Sequence, residues 1–158
     1  MKIELWVVGK TTFSYLDEGI ELYAKRIKKY NPFDVVFIPD VKAANNTPVA
    51  LLKIKEAENI LKRLQPEDYL VVLDENGKAY SSTSFAIFLE KSFLRHDKKK
   101  IVFLVGGAFG FAEEIYTQAV AKLSLSPMTF SHQIIRLLFL EQLYRAFSII
   151  HNEPYHNP

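Results

Sequence analysis

Cysteine is absent from the 158 residues. Its absence excludes disulfides, thiolate zinc sites, iron–sulfur clusters and every mechanism that needs a cysteine nucleophile. Long hydrophobic runs are missing too. The opening MKIELWVVGK is too short for a secretory signal, and no window approaches the ~20 apolar residues of a membrane span. A cytosolic protein is therefore expected. Neither sign of charge dominates: 20 Lys and Arg against 18 Asp and Glu leave a net charge of +2. A nucleic-acid role then needs a local basic patch or an assembled dimer rather than bulk charge. Glycine is scarce, and its placement fits neither G-x-G-x-x-G nor the P-loop, which disfavours a Rossmann dinucleotide site or an NTPase. No internal repeat, low-complexity stretch or linker divides the chain.

What remains is a chain of ordinary globular composition, 49% hydrophobic and 24% charged. We expect one domain spanning residues 1–158, able to bury roughly 70% of its unfolded surface. Strand-like and helix-like stretches alternate along it. Ile3 to Val8 is a β-rich run ending at Gly9, and Tyr15 to Tyr30 follows as an amphipathic helix. Phe33 to Ile38 is a second strand. Thr47 is placed to cap a helix that has Pro48 at its first position and runs to about Leu64. Tyr69 to Leu73 is a third strand, followed by turn chemistry at Glu75, Asn76, Gly77 and Lys78. Ser82 can cap a helix from Thr83 to about Arg95. Ile101 to Val105 is a fourth strand, ending in GGAFG at 106–110. A short helix near Glu113 to Val120 and a weak fifth strand, Lys122 to Leu125, complete the alternation. Apolar strands between helices predict an α/β fold, a mostly parallel sheet with helices on both faces. Ligands in such sheets sit beyond the carboxyl ends of the strands. Three ends stand out: Leu73-Asp74, Gly106-Gly107 and the loop at 125–131.

That last loop feeds the longest apolar helix. Ser124, Ser126, Pro127, Thr129 and Ser131 make a shaped loop of hydroxyls and main-chain groups. From His132 the pattern is helical, with Ile135, Leu138, Phe139, Ala146, Ile149 and Ile150 on one side, and Leu143 and Phe147 at its margin. The opposite half carries Gln133, Arg136, Glu141, Tyr144, Arg145 and Ser148, interrupted by Ile134, Leu137 and Leu140. One face is expected to be core and the other a subunit contact or the wall of a site. A monomer exposing Ile134, Leu137 and Leu140 together predicts a dimer.

Each candidate site has a plainer alternative. GGAFG can admit a ligand close to its backbone or serve as a simple turn. Lys25, Arg26, Lys28 and Lys29 form a basic cluster that reads as an RNA contact or a solvated face, as does the run Lys98 to Lys100. His132 and Arg136 lie one turn apart at the mouth of the main helix, and Glu141 and Arg145 have ion-pair spacing. The tail, with Glu153, Pro154, Tyr155 and His156, suggests a segment folded back over a site. His151 and His156 lack the further ligands that a metal needs, so no metal is expected.

Taken together, MKIELWVVGK, the LD-x-x-G-K segment at Leu73 to Lys78, VGGAFG at Val105 to Gly110, LSLSPMTFSHQIIR at Leu123 to Arg136, LEQLYRAFSI at Leu140 to Ile149 and NEPYH at Asn152 to His156 resemble the RlmH family. These are SPOUT-class methyltransferases acting on ribosomal RNA, and the resemblance spans the whole chain in order. It implies S-adenosyl-L-methionine as cofactor and N3 of a pseudouridine in helix 69 of 23S rRNA, within the ribosome, as target. It implies a homodimer and a SPOUT-like α/β knot, with a trefoil knot in the C-terminal half that no spacing discloses. Carried over by position, Leu73, Gly106, Leu125, Ser126, Pro127, Met128, Thr129 and Phe130 match cofactor-binding positions. His132, Arg136, Tyr155 and His156 match positions around the chemistry, and Tyr144 and Arg145 match RNA or dimer contacts. Ser131 departs from the family, which often has proline there.

The missing cysteine agrees with that chemistry. Methylation of a pyrimidine carbon commonly needs a cysteine to add to the ring, whereas direct transfer to a ring nitrogen needs only positioned partners. The N3 proton must leave, with His156 or Tyr155 as acceptor or water-orienting group, and Arg136 or Arg145 can stabilise charge on the ring oxygens. A non-catalytic RNA- or ribosome-binding module on a SPOUT-like scaffold is the alternative, and a small-molecule α/β enzyme is a third reading.

Overall fold

In the computed structural model, which describes residues 1–158, five strands and five helices alternate strictly. The strands are β1 (Lys2–Val8), β2 (Phe33–Ile38), β3 (Asp68–Ala79), β4 (Lys100–Val105) and β5 (Ala121–Ser124). The helices are α1 (Ser14–Ile27), α2 (Val49–Leu61), α3 (Ser82–Phe93), α4 (Glu113–Gln118) and α5 (Ile134–Ile150). All strands run parallel in one sheet of order β2-β1-β4-β3-β5.

Strands buried on both faces put alternate residues into two cores. Ile3, Leu5, Val7, Ile101, Phe103 and Val105 face α1, α3 and α5, whereas Trp6, Val8, Leu70, Val72, Val102 and Leu104 face α2 and α4. Because α3 returns to β4 on one face and α4 leaves β4 on the other, the chain parts in opposite directions beyond β3 and β4. Such a switch point opens a crevice at the strand tips.

Several expected features shift. Thr47 does not cap α2: its hydroxyl donates to the Ala44 carbonyl, and Pro48 itself is the residue before the helix. The cap of α3 is Ser81, which accepts from the Ser84 N–H at 3.0 Å, rather than Ser82. The turn at Glu75 to Lys78 is an excursion inside β3. The pairing with β5 jumps from Leu73 to Lys78, both set against Leu123, so the residues between them are looped out of the ladder. Gly77 makes this possible, since a Cβ there would lie 2.7 Å from the Lys122 backbone.

The buried side of α5 is also rotated from expectation. Its inward residues are Arg136, Phe139, Leu140, Leu143, Ala146, Phe147 and Ser148, whereas Leu138, Ile149 and Ile150 are only half-buried. The helix is wedged between α1 and α3 on the sheet, so apolar residues on its flanks are covered by neighbours in the same chain. Leu137 lies against α1, where a Cβ on Gly19 would be 2.8 Å from its Cδ1. Leu140 is fully buried, and of the trio used to expect a dimer only Ile134 is exposed. That trio therefore does not argue for a second subunit.

Candidate active site

Beyond the carboxyl ends of β3, β4 and β5 lies a cleft of about 510 Å³. The looped-out Asp74, Glu75 and Asn76 form one wall, and Gly106, Gly107, Ala108 and Gly110 form the second. The third is the 125–131 loop with the first turn of α5, contributing Leu125, Ser126, Met128, Thr129, Phe130, Ser131, His132 and Ile135. Phe111 and Tyr116 reach in from the start of α4, their rings edge to face at 5.8 Å.

Main chain dominates this cleft. The N–H groups of Gly106, Leu125, Thr129 and Phe130 find no acceptor within the chain. A Cβ at Gly106 would sit 2.9 Å from the Phe111 ring, so any larger residue there requires that ring to move. The 125–131 loop is held by its own hydroxyls. Ser124 donates to the Ser126 carbonyl at 2.9 Å, Ser126 accepts from the Met128 N–H at 3.0 Å, and Ser131 accepts from the Ile134 N–H at 3.2 Å.

Carboxylates tie the walls together. The Thr129 hydroxyl donates to Glu75, joining the β3 excursion to the loop across the mouth. Tyr116 donates to Asp74, and the Lys122 ammonium lies 4.3 Å from the centre of the Tyr116 ring. Burial and then the Asp74 carboxylate push the Tyr116 phenol well above its ordinary range, so it stays a donor at neutral pH. Glu56 of α2 accepts weakly from the Gly107 N–H at 3.5 Å behind the glycine wall. Its acid is raised, chiefly by burial.

A family model described as "Predicted SPOUT methyltransferase" matches residues 1–156. The chain belongs to the SPOUT methyltransferase family. A relative from Parabacteroides distasonis, named Ribosomal RNA large subunit methyltransferase H, is 52% identical over 157 residues, with 99% of each chain covered. A protein of the same name from Flavobacterium johnsoniae is 48% identical with the same coverage. Among solved structures, a probable methyltransferase from Bordetella pertussis superposes with a TM-score of 0.54 at 10% identity, over 92% of this chain and 93% of that one. A probable methylase family protein from Haemophilus influenzae gives 0.51 at 16%, over 99% of this chain and 70% of that one. These two likenesses concern the fold.

In this SPOUT methyltransferase the sequence-predicted residues divide into three groups. Leu73, Gly106, Leu125, Ser126, Met128, Thr129, Phe130 and His132 all line the cleft, with Pro127 inside the same loop. Arg136 does not. The residue is 1% exposed, and its guanidinium donates to the Val8 carbonyl at 2.7 Å, the Gly9 carbonyl at 2.9 Å, the Thr11 hydroxyl at 3.1 Å and the His132 carbonyl at 3.0 Å. Burial lowers its pKa, with Asp40 opposing. Gln133 repeats the clamp, accepting from the Thr12 N–H at 2.9 Å and donating to the Lys10 carbonyl at 3.1 Å.

The third group sits at the far end of α5. Tyr144, Arg145, Tyr155 and His156 cluster where the tail folds back on α1 and α5, and roughly 15 Å of helix separates Ile135 from Arg145. Tyr155 donates to Glu141 at 3.0 Å, lies 3.4 Å from the Tyr23 hydroxyl and packs on Tyr144 at 4.7 Å between ring centres. Tyr30 donates to Glu153 and stacks on Phe147. Arg145 pairs with Glu141, as the spacing predicts. Glu75 and Tyr116 were not singled out as site residues from sequence, and Asp74 was marked only as part of the strand end Leu73-Asp74; the visible sign was a polar Asp-Glu-Asn-Gly run between two halves of a strand.

Proposed function

We propose that the protein methylates N3 of a pseudouridine in helix 69 of 23S rRNA within the ribosome, in the cytoplasm, using S-adenosyl-L-methionine. The observation carrying this reading is the cleft where three strand tips converge. Its free main-chain N–H groups and the walls of Leu73, Leu125, Met128 and Phe130 fit a nucleoside with an amino-acid arm. The names of the 52% and 48% identical relatives support ribosomal RNA as the substrate. Bound there, the cofactor supplies an already activated methyl group, so the chain has mainly to orient and to manage one proton. Leu73, Gly106 and residues 125–130 would hold it, and Asp74 and Glu75 on the rim would supply negative charge suited to a cationic ligand.

The N3 proton has to leave as the methyl group arrives. Tyr155 is poorly suited to accept it. Burial, then the Tyr23 hydroxyl and the Glu141 carboxylate raise its phenol far above its ordinary range, so it remains a hydrogen-bond donor. Arg136 is occupied by carbonyls, leaving Arg145, His156 and His132 to face the substrate. Within one chain the tail cluster and the cleft lie at opposite ends of α5. Both act on one nucleotide only if a second copy brings its tail to the cleft, which makes the proposed enzyme a homodimer. A cavity of about 370 Å³ beside the cleft, lined by Phe85, Leu138, Glu141 and Gln142 and sharing Leu125 and Phe130, gives that tail a place to lodge.

Calorimetry with S-adenosylmethionine, followed by methylation of ribosomal particles from a strain lacking the enzyme, tests the proposal. Saturable heat and methyl incorporation into 23S rRNA are expected. Particle binding without heat from the cofactor would favour the non-catalytic RNA-binding module instead.

A further inference from the structure

The tail cluster holds a carboxylate that the proposed chemistry leaves unused. Glu141 is half-buried on α5, and one oxygen, Oε1, receives both Arg145 and the Tyr155 hydroxyl, the latter at 3.0 Å. Its other oxygen accepts from Gln142 at 2.9 Å. With Arg145 fixed on one side, its Nη1 lies 3.3 Å from His156 Nδ1, and its guanidinium sits 4.8 Å from the centre of the Tyr155 ring. A guanidinium can only donate. His156 Nδ1 must therefore accept, which places the proton of the neutral imidazole on Nε2.

We propose that Glu141 is a positioning residue that, through Arg145 and Tyr155, sets His156 as the Nε2–H tautomer, so that His156 serves the transfer as a hydrogen-bond donor rather than as the base. Resting on the function proposed above, this assigns the Nε2–H to a carbonyl oxygen of the target ring, where negative charge gathers as N3 is deprotonated. The N3–H bond breaks with its proton passing to water, the electron pair left on N3 forms the bond to the methyl carbon, and the methyl–sulfur bond breaks with its pair staying on sulfur, so that S-adenosylhomocysteine leaves. The imidazole keeps its proton throughout. Glu141 touches neither ring nor cofactor.

The test joins a spectroscopic readout to a kinetic one. Long-range proton–nitrogen correlation spectra of histidine-labelled protein, at a pH where the imidazole is neutral, report which nitrogen of His156 carries hydrogen, with His156→Gln locating its signals. The wild type should show Nε2–H. Glu141→Ala should give a mixture of tautomers and lower turnover about tenfold to a hundredfold, the scale of a misplaced contact, with affinity for S-adenosylmethionine unchanged. Glu141→Gln keeps an acceptor oxygen, should fold if Glu141→Ala does not, and should fall between the two. A wild-type His156 protonated on Nδ1 would overturn the proposal, as would a folded Glu141 variant with normal turnover. Failure of the wild type to methylate rRNA would overturn the functional reading instead, and the tautomer spectrum would still stand or fall alone.

Discussion

Replacing Arg136 with methionine separates a supporting role from a chemical one. The side chain lies beneath the junction of β1 and α5, and the substitution keeps an unbranched apolar stem while removing every donor. Val8 and Gly9 carbonyls, which receive the guanidinium at 2.7 and 2.9 Å, then lose their partner in a buried site. Each unsatisfied carbonyl costs about 1–3 kcal/mol. The variant recovers part of that cost, because the lowered pKa of Arg136 records what burying a guanidinium already takes. The net expectation is a loss of roughly 2–4 kcal/mol, or about 5–15 °C in melting temperature for a domain of this size. Urea unfolding followed by the fluorescence of Trp6, the sole tryptophan, measures it directly. Affinity for S-adenosylmethionine should weaken only as far as the His132 turn loosens, and Arg136→Lys, with its charge kept but its fork lost, should be intermediate. A methionine variant as stable as the wild type yet inactive on ribosomes would refute the supporting role and return Arg136 to the chemistry.

Two further substitutions test other joints. Gly77→Ala should cost about 1–3 kcal/mol by overpacking, because its Cβ would meet the Lys122 main chain at 2.7 Å, where no side chain can swing aside. It should also weaken cofactor binding, since the excursion carrying Asp74 and Glu75 is anchored there; an unchanged melting curve would sink that account. Glu4 is pushed upward by burial, but the Trp6 indole, Lys2 and Lys100 outweigh this and leave its acid below the ordinary value near 4.3. The folded pKa is the lower one. Its stabilisation is therefore present above about pH 4.3 and lost as pH falls through the folded value. Glu4→Gln should flatten that part of the stability profile, and parallel acid profiles for the two proteins would contradict it.

The fold was legible where one physical signal dominated. Phe33–Ile38 is bounded by prolines and apolar apart from Asp34, and the strand has those limits. β1 and β4 read equally well because strands covered on both faces are almost wholly apolar, Glu4 being the one polar residue between Ile3 and Val8 or between Ile101 and Val105. Legibility failed where two elements compete for a residue. Glu75 to Lys78 carry turn chemistry, and the residues that leave the ladder are Asp74 to Gly77, yet β5 pairs on both sides of them, which only the neighbouring strand could disclose. Thr47 has the chemistry of a cap but spends its hydroxyl on Ala44.

The candidate site shows the same division. Strand order turns three separate loops into three walls of one cleft, and their glycine, serine and proline content marked them beforehand. Arg136 was misplaced because α5 is apolar nearly all round, so periodicity set its inward side wrongly. A sequence pattern also gives no sign that the open carbonyls of Val8 and Gly9 at the end of β1 need a donor. Once a buried arginine supplies that donor, the turn carrying His132 is fixed to the sheet at two points, Gln133 and Arg136. The same helix then delivers Glu141 and Arg145 to the tail at its other end. A single rigid element thus sets both the wall of the cleft and the anchor of the tail. Changes at Arg136 should therefore be felt through stability, and changes at Glu141 through turnover.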